Sequence, residues 1–217
     1  MSLMSVYQGW RDAQRLRRRF PALANYDRMA AGLWDSLRQV HEPYVAAVSS
    51  DLMAASLELS VLLTSLCRIL HPWRVVDLGS GFSSYVLRLY AAQAKPSPEV
   101  WSVDDSAEWL NKTREYLSAL GLSTANLGTW EDFAASGQSG FDLILHDLGN
   151  METRAGALPR VIELGRPGAM IVLDDVHKGT YRRAACAALR RRRLPCWSLR
   201  SFTLDRFGRY AWLTETR

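Results

Sequence analysis

From residue 73 onward the chain alternates short apolar runs with helical segments, and that alternation narrows the available folds more than any other feature. Residues 73–78, Trp-Arg-Val-Val-Asp-Leu, read as a strand, Gly79-Ser80-Gly81 as a turn and residues 83–94 as a helix. A second strand spans residues 100–104. The helix expected over 106–120 starts at Ser106 as its cap and is stopped by Gly121. A weaker strand covers 123–128, a strong one 141–146, a helix 151–164, another strong strand 169–173 after the Pro167-Gly168 turn, and a helix 180–193. Two strand-like runs, 197–204 and 209–214, close the chain around the turn Asp205-Arg206-Phe207-Gly208. Strands separated by helices pair in parallel through right-handed crossovers, with helices on both faces, whereas two strands so closely joined form an antiparallel hairpin. The expected fold is α/β: a doubly wound, mostly parallel seven-stranded sheet with a C-terminal antiparallel hairpin. Such a sheet takes its ligand at the carboxyl ends of the strands, beside the first one.

Residues 1 to about 70 have a different texture. Apolar side chains recur at three- and four-residue spacing with no alternating β-branched run, so this stretch reads as an N-terminal helical extension, broken at Pro21 and Pro43. Ser49-Ser50-Asp51 offers a cap for its last helix, which ends near His71-Pro72. The expected organisation is a helical cover or lid over residues 1–70 and a sheet domain over residues 71–217. With 217 residues, 48% of them hydrophobic, and a net charge of +5, the chain can bury a full core and is not of the disordered class. The longest apolar stretch, residues 57–70, carries Glu58 and Arg68 and falls short of the roughly 20 residues of a membrane span. The first residues lack an apolar region behind a basic start, so neither membrane nor secretory signal is expected. Cys67, Cys186 and Cys196 are odd in number and far apart, which makes neither a disulfide framework nor a metal knuckle. Cys67, within an apolar run, reads as a buried thiol, and a reducing cytoplasm is the expected compartment.

The first strand leads into Asp77-Leu78-Gly79-Ser80-Gly81-Phe82-Ser83-Ser84. Glycines there allow a sharp turn and close approach of a ligand to the backbone, and the helix start that follows favours a negative group. Asp77 stands two residues before the first glycine. Asp104, followed by Asp105, ends the second strand, where a carboxylate accepts hydrogen bonds from ribose hydroxyls. The dinucleotide fingerprint asks for glycine or alanine where Ser84 stands, which counts against a nicotinamide-dependent oxidoreductase.

The run D-L-G-S-G, an acidic residue closing strand two and a terminal strand hairpin resemble the class I S-adenosylmethionine-dependent methyltransferases, over about residues 55–217. The resemblance implies a Rossmann-like sheet and S-adenosylmethionine as cofactor. Gly79, Ser80 and Gly81 would line its methionine and ribose, Asp77 would contact the methionine end and Asp104 the ribose hydroxyls. Ser84 and Asp105 complete the expected cofactor set, with Trp130 or Glu131 against the adenine. Ser83 departs from the pattern, which usually has its last glycine there.

Strands four and five end in His146-Asp147 and Asp174-Asp175, with His177 beyond. Three carboxylates converging at one sheet edge repel unless something cationic sits among them, and oxygen ligands in that number suit Mg²⁺ or Ca²⁺. Their positions resemble those of the metal-dependent O-methyltransferases, of the catechol type and the bacterial sugar-modifying type, as does the lead-in Gly165-Arg166-Pro167-Gly168. By that resemblance Asp147, Asp174 and Asp175 would hold Mg²⁺, which would bind and acidify an acceptor hydroxyl. The catechol type has a general-base lysine where this chain has Asn150. His146 and His177, each with an ordinary pKa near neutrality, are then the candidate catalytic bases alongside Asp147. The alternative for the same residues is that Asp174 caps a helix, Asp175 is solvated and only Asp147 borders the site. Trp34, Tyr44 and Met53 are candidates for a substrate lid or for plain core packing, and Phe141-Asp142 reads as structural, at the opposite end of the sheet.

All but Lys95, Lys112 and Lys178 of the 27 cationic side chains are arginine, clustered at residues 15–19, 182–183 and 190–193. Arg190 to Arg193 fall at a helix C-terminus, where cations complement the dipole, and no aromatic residues interleave as base-stacking platforms do. The clusters therefore read as exposed faces, and nucleic acid is disfavoured as a partner. The expected activity is methyl transfer to an oxygen of a small molecule, assisted by Mg²⁺. The alternatives are a non-catalytic binding module on the same fold and an RNA or protein methyltransferase. A homodimer is left open.

Overall fold

The computed structural model describes residues 3–217, with side chains from residue 11 onward. The N-terminal helices are α1 (Leu3–Arg19), α2 (Tyr26–Ala31), α3 (Trp34–Ala47) and α4 (Leu57–Leu70), with a 3-10 turn at Pro21–Asn25 after α1. Strand β1 (Arg74–Leu78) follows, and then α5 (Phe82–Gln93), β2 (Glu99–Asp104), α6 (Ala107–Ala119), β3 (Leu127–Thr129) and α7 (Trp130–Ala135). The chain continues through β4 (Phe141–His146), α8 (Met151–Leu164), β5 (Gly165–Leu173), α9 (Gly179–Arg191), β6 (Trp197–Ser198), α10 (Arg200–Thr203) and β7 (Trp212–Glu215). The strands form one seven-stranded sheet in the order β3-β2-β1-β4-β5-β7-β6. β1 to β5 run parallel, and β7 is antiparallel to both its neighbours. This is the expected α/β architecture, with the reversal at the C-terminal edge.

Alternation along each strand divides the core in two. Val75, Leu143, Leu145, Met170, Val172 and Leu213 face the layer that contains α4 and α5. Val76, Leu78, Ile144, Ile171 and Leu173 face Phe133 of α7, Leu158 and Val161 of α8, and Tyr181 and Leu189 of α9. A parallel strand buried on both faces needs an unbroken apolar run, which is why β1, β4 and β5 stand out in the sequence. Leu59, Leu62, Leu63, Leu66 and Cys67 of α4 are buried in the first of these clusters, so the last N-terminal helix is part of the sheet's own core. No helix among the described residues is long and apolar enough to cross a membrane.

Three local expectations are corrected. Pro43 lies inside α3, on its exposed side, so water can take the carbonyl it leaves without a donor and the helix continues. The cap of α4 is Ser56, whose hydroxyl accepts from the Leu59 N–H at 3.1 Å, rather than Ser49-Ser50-Asp51. Residues 199–204 do not extend β6. Leu199, Phe202 and Thr203 recur at helical spacing and are buried, and the Phe202 ring meets Tyr26 edge-on at 4.8 Å. Thr203 Oγ1 donates to the Leu199 carbonyl at 3.1 Å and accepts from the Ala211 N–H at 3.0 Å. The antiparallel pair therefore forms, but across a longer loop that contains the α10 turn. At the amino end of the parallel strands, Asp142 accepts from the backbone N–H groups of Trp73 (2.6 Å) and Arg74 (2.8 Å) and pairs with Arg166, the structural role expected of it.

Candidate active site

A cavity of about 880 Å³ opens at the carboxyl ends of β1, β2, β4 and β5, the size of a small-molecule site. Its floor is the loop after β1. Gly79 has φ +106°, and a Cβ there would run into the Asp147 carbonyl, so glycine is required on two counts. The Ser80 N–H and hydroxyl both donate to Asp104 Oδ2, at 2.7 and 3.1 Å, and the Ser106 N–H donates to Oδ1 at 3.0 Å. Asp104 thus locks the turn that carries Gly79 and Ser80.

Asp77 lies beneath that loop and is fully buried. Its Oδ2 accepts from the hydroxyls of Ser84 (2.5 Å) and Ser83 (3.1 Å), and Ser84 in turn accepts from the Gly81 N–H at 3.1 Å. The two serines that depart from glycine-rich patterns are therefore the donors that hold this carboxylate. Its Oδ1 has no partner among the described residues. Burial pushes the Asp77 pKa up to about 7, against the opposing pull of both hydroxyls and of Arg88.

Of the expected site residues, Gly79, Ser80, Asp104, Asp105, Asp147, Asp174, Asp175 and His177 line the cavity together. Asp77, Gly81 and Ser84 support it from behind. Trp130 does not line it: its ring turns toward Phe133, 6.2 Å away, in the second core cluster. Trp109, on the first turn of α6, lines the wall instead, and its Nε1 donates to the Ser80 carbonyl at 2.5 Å. His146 is also absent from the wall. Period-two alternation puts it on the same face of β4 as Ile144, fully buried, with Nε2 2.8 Å from the Arg154 carbonyl, and burial drives its pKa down to about 3. A histidine so enclosed is a poor proton acceptor for anything in the cavity. His177 does reach the cavity. Its Nδ1 lies 3.4 Å from Asp175 Oδ1, and burial lowers its pKa below 6.5 despite that carboxylate, which leaves the imidazole neutral at pH 7.

The cation that the carboxylates require is Arg154 of α8, whose side chain is only 5% exposed. Its Nη1 lies 2.6 Å from Asp147 Oδ1 and 3.2 Å from Asp175 Oδ2. Nη2 donates to the carbonyls of Asp147 (2.8 Å) and Gly149 (3.0 Å). Among the described residues no group of three His, Cys, Asp or Glu side chains is arranged to hold a metal ion. The expected Mg²⁺ ligand set of Asp147, Asp174 and Asp175 is corrected accordingly: two of its three members already hold a guanidinium, and the set does not fit a divalent ion. Asp174 has no cation within ion-pair distance among the described residues, and burial followed by the Asp175 charge pushes its pKa up to about 6.

The rim is apolar. Leu52, Met53 and Phe207 line the mouth and are largely exposed. Of the lid candidates, Met53 is here, Tyr44 is buried against Phe82 and Tyr116, and Trp34 packs on the first core cluster. Arg209 ties the two rim loops together, donating to the carbonyls of Leu52 (3.0 Å) and Ala54 (3.2 Å) and to Asp205 Oδ2 (2.5 Å).

No protein-family model matches the sequence, and no curated protein matches it. Solved structures do. The O-methyltransferase from Bacillus cereus in complex with S-adenosylhomocysteine superposes with a TM-score of 0.65 at 15% identity, covering 84% of this chain and 91% of that one. The O-methyltransferase TomG from Streptomyces achromogenes, in complex with S-adenosylmethionine, gives 0.59 at 14% identity over 87% and 88%. The Podospora anserina methyltransferase PaMTH1 bound to S-adenosylhomocysteine gives 0.62 at 14% over 87% of each chain. The chain has the class I methyltransferase fold. In that methyltransferase fold the loop after β1 and the ends of β2, β4 and β5 meet at one edge, and here they surround the cavity.

Trp109, Arg154, Arg209 and Phe207 are site residues that sequence reasoning passed over. Only Arg154 carried a usable signal: with Leu158, Val161 and Ile162 it falls on the apolar stripe of α8, where a lone arginine has to find buried anions.

Proposed function

We propose that this chain is an S-adenosylmethionine-dependent methyltransferase acting on a hydroxyl oxygen of a small molecule. The observation that carries the reading is the Gly79-Ser80 turn, locked by Asp104 and shaped so closely that no side chain fits at Gly79, facing a wall of carboxylates and an imidazole across one cavity. The chain's residues fit the cofactor. Asp104 and Asp105 place carboxylates at the end of β2 on the cavity wall, and Gly79, with no room for a Cβ, lets a ligand approach the backbone between them and Asp147.

When bound, S-adenosylmethionine supplies an electrophilic methyl group on a sulfonium, a good leaving group. The protein's share is to hold the acceptor in line and to take its proton. His177 is the proposed proton acceptor, an imidazole at the cavity wall whose Nδ1 lies 3.4 Å from Asp175 Oδ1. Asp174, the carboxylate without a cation, accepts a hydrogen bond from the acceptor hydroxyl and fixes its direction. Leu52, Met53 and Phe207 give the apolar part of a small acceptor its contact surface. No step uses a metal ion.

Calorimetric titration with S-adenosylmethionine tests the first half: one site per chain is expected, with S-adenosylhomocysteine competing. Absence of heat at millimolar ligand, on protein shown to be folded, would refute it. His177→Gln is expected to lower turnover about 10²-fold or more while S-adenosylmethionine affinity stays within about twofold. Equal losses in both would remove the proton-acceptor role.

A further inference from the structure

We infer that Arg154 is the resident cation of the strand-end carboxylates, a positioning residue that does for Asp147 and Asp175 what a divalent ion would otherwise do. A guanidinium has five N–H donors in a rigid plane. Here four donations go to the protein and an ion pair completes the set: Nε donates to the Leu148 carbonyl at 3.4 Å, Nη1 to Asp175 Oδ2 (3.2 Å), and Nη2 to the carbonyls of Asp147 (2.8 Å) and Gly149 (3.0 Å), while Nη1 lies 2.6 Å from Asp147 Oδ1. The group is sealed from below by the Tyr181 ring, whose centroid lies 5.8 Å from the guanidinium carbon.

Two consequences separate this arrangement from an ordinary ion pair. The cation links the ends of two neighbouring strands, since Asp147 follows β4 and Asp175 follows β5, and it grips the loop 147–149 by three carbonyls. A divalent ion entering among these carboxylates would have to displace a guanidinium that already engages both Asp147 and Asp175. Arg154 lines the cavity as well, with its guanidinium held chiefly by the protein. Asp147 and Asp175, which it positions, line the cavity beside it, together with Asp174.

The inference concerns the carboxylate cluster and does not depend on methyl transfer, so it is tested without S-adenosylmethionine. Mn²⁺ is titrated into the full chain, with bound ion read by electron paramagnetic resonance and the unfolding temperature followed with Mn²⁺ and with chelator. The unaltered protein is expected to bind no Mn²⁺ at this edge and to melt at the same temperature in both. Arg154→Ala, which leaves the carboxylates without a cation, is expected to melt lower, to bind Mn²⁺ at least about tenfold more tightly than the unaltered protein, and to regain part of the lost temperature when it does. A merely structural arginine would not be replaced by a metal ion. Arg154→Lys keeps the charge with fewer donors and is expected to melt lower while remaining silent toward Mn²⁺. Mn²⁺ bound by the unaltered protein and lost in Asp147→Asn would overturn the inference, and that measurement decides even where Arg154→Ala does not fold. An Arg154→Ala protein that folds and binds no more Mn²⁺ than its parent would overturn it too.

Discussion

Asp77 places an ionisable carboxyl where there is no exposure, and the chain answers with two serine hydroxyls on one oxygen and nothing on the other. Arg88, itself buried and tied to the Ser102 hydroxyl at 2.5 Å and to the Ala125 carbonyl at 2.8 Å, supplies a cation in the same region. Burial nevertheless dominates, and a folded pKa of about 7 stands above the ordinary 3.8. A carboxyl raised on folding contributes stability that is complete below its unfolded pKa and is lost as pH rises through the folded one. The window is therefore about pH 4 to 7, with the folded state weakening toward the alkaline side. Asn at this position can still accept from Ser83 and Ser84 but does not titrate. Denaturant unfolding at pH 5 and pH 8 should show the stability difference between Asp77→Asn and its parent moving by about 2–3 kcal/mol in favour of the variant at the higher pH. A difference that stays constant would mean that Asp77 titrates at its ordinary value in the folded chain.

At the scale of elements, the mouth of the cavity is made by two loops far apart in sequence. The segment between α3 and α4 carries Leu52 and Met53, and the segment between α10 and β7 carries Phe207. Arg209 joins them through two carbonyls and Asp205, and Arg206 adds an ion pair to Asp51. In Arg209→Met, amide exchange across residues 50–55 should accelerate while that of α5 stays as it was, because the lost bonds fasten only the rim. Exchange unchanged in the rim would show that packing, not Arg209, holds it. Much of this architecture is legible in the sequence. β1, β4 and β5 are apolar because both faces are covered, and Asp77, Gly79, Asp104, Asp147 and Asp174 fall at strand ends because a parallel sheet opens there. The rest depends on which partner a side chain finds. Arg154 is visible as a charge on an apolar stripe, but the strand ends it bridges are brought together only by the β4–β5 pairing. His146 looks catalytic by residue type, but its two-residue spacing from Ile144 assigns it to the core. Leu199 and Phe202 suit a strand or a helix equally well, and it was the N-terminal layer, through Tyr26, that favoured the helix.

For the whole molecule, the N-terminal helices and the sheet share one core. Leu63 of α4 is fully buried in the cluster that also holds residues of the sheet face and α5. Leu63→Ala is expected to cost about 2–5 kcal/mol, and the variant should still unfold in a single transition by fluorescence and circular dichroism alike. Two separated transitions would make residues 1–70 an independent unit. The outer strands have a bearing on how the protein behaves in company. One edge of the sheet is β3, three residues long, and the other is β6, two residues long, with Pro195 just ahead of it and the α10 turn just behind. A long bare edge is a template onto which a foreign strand can add, and through which chains stack into aggregates. This sheet ends on both sides before such a template exists. A second copy, or any stray extended segment, meets almost no free backbone there, so crowding at high concentration has little strand edge to act on.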